Sequence, residues 1–154
     1  MIMMKNSKKQ KNKSEKIFDK KHVQVVSAII IEKDMVFCFK KGKAKYKYLE
    51  NKFEFPGGKI KKNENKIDAL KREILEELNV EIEVLEPLCE SDYNYPDFTV
   101  SLSSFICRAQ RSSFILTEHV EVVKVPISDI DKLQWLPADI PIVNALKALN
   151  NDKI

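Results

Sequence analysis

The sequence has no apolar run long enough to span a membrane. It also lacks a signal-peptide core, because Met1–Met4 is too short and a lysine-rich stretch follows. A mitochondrial transit peptide would favour Arg and lack acids. Here the early cations are all Lys, and Glu15 and Asp19 interrupt them. These absences point to a cytoplasmic protein with no membrane partner. Cysteine is scarce: Cys38, Cys89 and Cys107 are odd in number, widely spaced and without metal-ligand spacing. They read as structural thiols with no disulfide, Cys38 and Cys107 lying in strand-like runs. Arginine is scarcer still. Apart from Arg72, Arg108 and Arg111 every basic residue is Lys, so lysine richness reflects the chain's general bias as much as any binding signal.

What is present is a core and an uneven charge. Apolar residues make up 44% of 154 residues, which fits one folded domain. The net charge is +4. Residues 1–21 carry eight Lys against two acids, a net +6, which leaves the remainder mildly acidic at −2. The expected organisation is a flexible lysine-rich arm over 1–21 and a folded domain over 22–154. The arm is either a solvated tail or a weak contact for nucleic acid.

Residue patterning gives the elements. His22–Ile31 reads as a strand, Glu32–Asp34 as a turn and Met35–Lys40 as the hairpin partner. Lys41–Lys52 is a basic loop containing tyrosines. Phe53–Phe55 is a short strand stopped by Pro56-Gly57-Gly58. Ile67, Leu70, Ile74 and Leu78 predict a helix over Asn65–Leu78, with Asn63 or Asn65 as its N-cap and Asn79 at its end. Val80–Leu88, Phe98–Arg108 and Val120–Val125 read as strands, Ser128–Leu133 as a short helix or turn, and Ala138–Asn150 as a closing helix with Ile142, Val143, Leu146 and Leu149 inward. This mixture implies an α/β fold with a mixed sheet covered by helices.

The helix carries the chemistry. Glu73, Glu76 and Glu77 are three and four residues apart, so they project along one side beside the apolar stripe. Clustered carboxylates repel, so Arg72 and divalent cations are needed to balance them. Oxygen-only ligation suits magnesium, with manganese as the alternative. An ordinary solvated helix face would have the same spacing. The preceding Pro56-Gly57-Gly58 favours the site, because adjacent glycines permit a tight turn and close backbone approach.

The run Gly58 to Glu64, seven further residues, and then Arg72-Glu73-Ile74-Leu75-Glu76-Glu77-Leu78-Asn79-Val80 resembles the signature of the Nudix hydrolases. One fixed position departs: Asn79 stands where the pattern has glycine. The resemblance implies an α/β/α sandwich with a mixed sheet. It makes Glu73, Glu76 and Glu77 metal ligands, with the Gly57 carbonyl beside them. Arg72 would orient the glutamates and Glu64 would support them. The run Asn51–Ile60 and the run Leu136–Pro141 are similar to the MutT-like subgroup, which cleaves nucleoside triphosphates and favours oxidised guanine nucleotides, a task of nucleotide-pool sanitation and DNA repair.

By the same resemblance, Asp139 reads the base, Lys41 contacts the nucleotide, Tyr48 lies near base or sugar, and Phe55 walls the pocket. Glu54, Pro56, Gly57 and Gly58 complete the substrate-binding set. Glu118 is an extra metal ligand or the base that activates water, with His119 as a rival base. Trp135 reads as structural. Asp139 leaves a choice. An ionised Asp accepts two hydrogen bonds, which suits guanine's adjacent donors, whereas a protonated one would suit cytosine. Asp139 would otherwise serve as an N-cap.

The expected reaction is water attack on an internal phosphorus, releasing nucleoside monophosphate and pyrophosphate, with 8-oxo-dGTP as the leading substrate. The alternatives are a diphosphatase of CTP or a modified cytidine triphosphate, a Nudix hydrolase of another nucleoside diphosphate derivative, and a nucleotide-sensing or RNA-binding Nudix module without catalysis.

Overall fold

The computed structural model describes residues 20–152. The lysine-rich arm lies outside this range. β1 (Lys21–Glu32) is the axis of the fold. Along one side it pairs in parallel with β6 (Phe98–Ala109), which in turn pairs antiparallel with β5 (Ile82–Asn94). On the other side it meets β4 (Gly57–Lys59) through Val25, Val26 and Ser27. Only its last two residues pair with β2 (Met35–Lys41). β2 departs to a second set of strands, flanked by β3 (Phe53–Glu54) and β7 (His119–Pro126).

Two expectations change here. β1 and β2 form a hairpin only beside its turn, because β2 finds its long partner in β7. Pro56-Gly57-Gly58 does not end strand structure: the chain re-enters the sheet at once as β4. Neither glycine has a positive φ. What Gly57 supplies is room, since a Cβ there would stand 1.8 Å from the Val26 carbonyl oxygen of β1.

Alternation along β1 and β2 separates two cores. Val26, Ala28, Ile30, Phe37 and Phe39 face α1 (Lys66–Leu78), where Leu70, Ile74 and Leu78 are fully buried. Each such side chain contributes about 1.5–3 kcal/mol. Ile29, Val36 and Cys38 face α2 (Ile140–Asp152), which buries Ile142, Val143 and Leu146. The architecture is therefore α/β/α, as expected. Ile67 is 43% exposed although its angle places it on the buried side of α1; at the first turn no described element covers it.

Both ends of α1 behave as their residues dictate. The Asn65 side chain accepts from the Asp68 amide, satisfying a free N–H of the first turn. Asn79 adopts φ 53° and ψ 43°, the left-handed ending that glycine takes most cheaply. Arg111 also donates to the Asn79 carbonyl. The departure from the signature thus leaves the helix ending intact.

Candidate active site

Arg72 organises the glutamates. It grips Glu64 with two parallel bonds, Nε to Oε2 at 2.8 Å and a terminal nitrogen to Oε1 at 2.9 Å. It also donates to Glu73 at 2.8 Å, to Glu76 at 3.4 Å and to the Lys59 carbonyl at 3.1 Å. One planar guanidinium thus ties the β4 strand, the loop into α1 and the helix together. The Arg72 contact holds the Glu64 carboxyl down to about 2.

The carboxylates are graded by depth. Glu76 is exposed and Glu73 is half-buried. Glu77 lies in the middle of the buried face of α1 and is only 7% exposed, deeper than the rim position its spacing suggested. Gly57 donates its N–H to Glu77 Oε2 at 3.2 Å, which ties β4 to the helix. Gly58 makes room for Glu73: a Cβ there would stand 2.2 Å from the carboxylate carbon. Pro56 is buried and its carbonyl accepts from Ala28 at 2.8 Å.

Burial pushes the Glu77 carboxyl up to about 8, and the charges of Glu54, Glu118 and Glu73 push the same way. Arg72 and Lys41 offset Glu73 and Glu54, and further positive charge would relieve the repulsion on Glu77. The donors of the set are all oxygen and fit a hard divalent cation. Among the described residues, no three of these side chains converge into a ready-made cage, because Glu73 turns to Arg72 and Glu77 to the Gly57 amide.

A second acid is buried beside this one. Asp139 is 5% exposed and its Oδ2 accepts from the Phe55 amide at 3.2 Å. Among the described residues its side chain makes no bond to the first turn of α2; it is fastened instead to Phe55, 84 positions earlier between β3 and β4. Burial, then the charge of Glu54, pushes its carboxyl well above the usual range. Phe55 stacks on Trp135 with centroids 4.6 Å apart, and the Trp135 indole N–H donates to the Ile130 carbonyl, which makes that tryptophan structural.

Glu54 stands between the two acids. His119 Nε2 lies 3.0 Å and Lys41 Nζ 3.6 Å from its Oε2. This engages both Lys41 and His119, whose imidazole is buried rather than free to act as a rival base. Glu118 is exposed on the same side, where its charge reaches Glu77. Tyr48 donates to Asp97 at 2.9 Å and stacks on Tyr46 and Tyr95, so it reaches the Asp139 side only through Tyr95. Tyr95 had no signal in the sequence: its hydroxyl accepts from the Ala138 amide at 3.0 Å, a contact across 43 residues. A separate cavity of about 520 Å³, lined by Ile31, Leu85, Arg108 and Leu149 among others, shares none of these residues.

The NUDIX domain family model matches residues 21–153. The chain belongs to the Nudix family. Among curated proteins it is similar to the 8-oxo-dGTP diphosphatase of Buchnera aphidicola subsp. Acyrthosiphon pisum (strain APS). The identity is 33% over 104 residues, covering 68% of this chain and 84% of the relative. Another 8-oxo-dGTP diphosphatase, from Proteus vulgaris, is 30% identical over 91 residues, 58% of this chain and 80% of the relative. The solution structure of the DNA mismatch repair protein MutT of methicillin-resistant Staphylococcus aureus 252 superposes with a TM-score of 0.67. It is 35% identical and covers 84% of this chain and 98% of that one. The MutT protein of Methanosarcina mazei Go1, at 20% identity and a TM-score of 0.74, shares the fold, with 88% and 97% of the chains covered. This Nudix chain is therefore a MutT-like hydrolase. None of its described helices is long and apolar enough to cross a membrane.

Proposed function

We propose that this Nudix hydrolase cleaves nucleoside triphosphates by water attack on an internal phosphorus, releasing monophosphate and pyrophosphate, and that 8-oxo-dGTP is its preferred substrate. The observation that carries the reaction is Glu77, a buried carboxylate crowded by three others on a helix locked by Arg72. Glu73, Glu76 and Glu77 would hold magnesium, or manganese, with Gly57 and Glu118 beside them. When bound, the metal supplies positive charge that neutralises the phosphate oxygens. The chain's own groups do the rest. Arg72 and Glu64 keep the glutamates in place, and Glu118 or a glutamate of the box takes the proton from the attacking water.

The base preference rests on Asp139. Its burial favours the neutral acid, which presents one donor and one acceptor. Oxidised guanine offers O6 as an acceptor beside N7–H as a donor, whereas ordinary guanine offers two acceptors on that edge. A neutral Asp139 facing that edge pairs with the oxidised base and leaves a mismatch with the normal one. The relatives named above for 8-oxo-dGTP point the same way. Cytosine also sets a donor beside an acceptor, so the same acid supports CTP as the second reading. The test is a panel of normal and oxidised nucleoside triphosphates with magnesium. The proposal expects kcat/KM highest for 8-oxo-dGTP with pyrophosphate released; a higher value for CTP would replace the first reading by the second. A protein that binds nucleotides or RNA without turnover would sink both.

A further inference from the structure

His119 is costly where it stands. Its side chain is 2% exposed at the start of β7, opposite Lys41 of β2, and its ring lies 5.4 Å from that of Phe39. Nε2 bonds Glu54, but Nδ1 is buried with no hydrogen-bond partner among the described residues. Leaving a buried polar atom unpaired costs stability that an apolar side chain would not. The imidazole therefore brings the fold little net stability and must be judged by what it holds.

What it holds is the carboxylate at the junction of the site. Glu54 is followed by Phe55, whose N–H fastens Asp139, and by Gly57, whose N–H fastens Glu77. Within four residues the chain passes from the base-reading acid to the phosphate-cleaving end. A nucleotide with its base at Asp139 and its phosphates at the glutamates lays its sugar along this segment. Both contacts to Glu54 fall on Oε2, so among the described residues Oε1 is without a partner. A carboxylate oxygen there can only accept, and a sugar hydroxyl is the donor a nucleotide offers at that point.

We propose that His119 is a positioning residue: its Nε2–H holds Glu54 Oε2 so that Oε1 accepts the sugar 3′-hydroxyl of the bound nucleotide. This rests on the nucleotide reading of the site. Without the imidazole, Lys41 is the remaining contact on Glu54 and draws the carboxylate aside.

The test uses His119→Leu, His119→Gln, Glu54→Gln and the His119→Leu/Glu54→Gln pair in the full chain. Calorimetry with 8-oxo-dGMP in chelator reads binding apart from turnover. Losing a hydrogen bond to a charged group weakens affinity about tenfold or more. His119→Leu should show that loss with an unchanged or higher Tm, while His119→Gln, which keeps an N–H donor, stays within about threefold of the parent. The double variant should bind no worse than Glu54→Gln alone. A 3′-deoxy nucleotide should bind the parent and His119→Leu equally. Full affinity in His119→Leu, additive losses in the double variant, or an unaltered deficit with the 3′-deoxy nucleotide would overturn the proposal. If the parent binds no nucleotide, the reading of the site fails instead. Crystal structures of His119→Leu and His119→Gln then decide the positioning claim alone, since an unmoved Glu54 in the Leu variant refutes it.

Discussion

Glu77 occupies the middle of the buried face of α1, where a leucine would contribute more stability. Its removal should therefore separate activity from stability. Glu77→Gln is expected to lower turnover by roughly a thousandfold, the scale of losing a group that stabilises transition-state charge. The same variant should be more stable than the parent in metal-free buffer at pH 8, because it removes a buried charge; urea midpoints check this. Asp139→Asn is a gentler probe. An amide presents one donor and one acceptor, as the neutral acid does, so the variant should keep its preference for the oxidised base. Asp139→Ala should lose it, read as the ratio of kcat/KM for 8-oxo-dGTP over dGTP. The adjacent glycines should fail differently. At Gly58 an added Cβ meets the mobile end of Glu73, so Gly58→Ala should cost about a hundredfold in kcat with little change in Tm. At Gly57 it meets the β1 backbone, so Gly57→Ala should cost several kcal/mol of stability, on the scale of an overpacked core.

The elements show which readings survive without neighbours. The caps of α1 were legible because they are local: Asn65 bonds a residue three positions on, and Asn79 needs only its own backbone. Asn65→Ala should cost about 1 kcal/mol, and Asn79→Gly should be neutral or slightly stabilising. Thermal melts of the two variants measure both, and an Asn79→Gly protein with a clearly lower Tm would show that the side chain does more than tolerate the turn. β2 was legible as an apolar run, but its long partner was not, and β4 was not legible as a strand at all. β2 leaves β1 after two residue pairs to follow β7, 78 to 91 positions away, and β4 begins at the glycines that looked like a stop. Local sequence fixes which residues point to one face; it does not say which strand lies beside them.

At the scale of the molecule, charge and burial oppose one another as pH changes. Glu77 and Asp139 are raised on folding, so their stabilising contribution is complete below their ordinary values and is lost as pH rises, for Glu77 through about 8. Glu64 is lowered, so its contribution is present above the ordinary range and lost as pH falls toward 2. The metal-free protein should thus be most stable near pH 5 and lose stability from there to pH 8, with Glu77 alone contributing up to about 1.4 kcal/mol per pH unit. Magnesium should restore much of the loss at pH 8, because a cation bound to the folded glutamates favours their charged form. A urea midpoint that rises between pH 5 and 8 in chelator would contradict this account.

The sequence by itself determined the α/β class, the helix with its caps and the segment that matches the Nudix signature. Each of these depends on spacing within some twenty residues, where helix geometry fixes neighbours. Only the tertiary structure decided the depth of Glu77, the fastening of Asp139 to Phe55 and the bond from His119 to Glu54. Those contacts join residues 20, 84 and 65 positions apart. Burial and a neighbour's charge shift an acid far more than its own sequence context does, and both arise only when distant strands close around it.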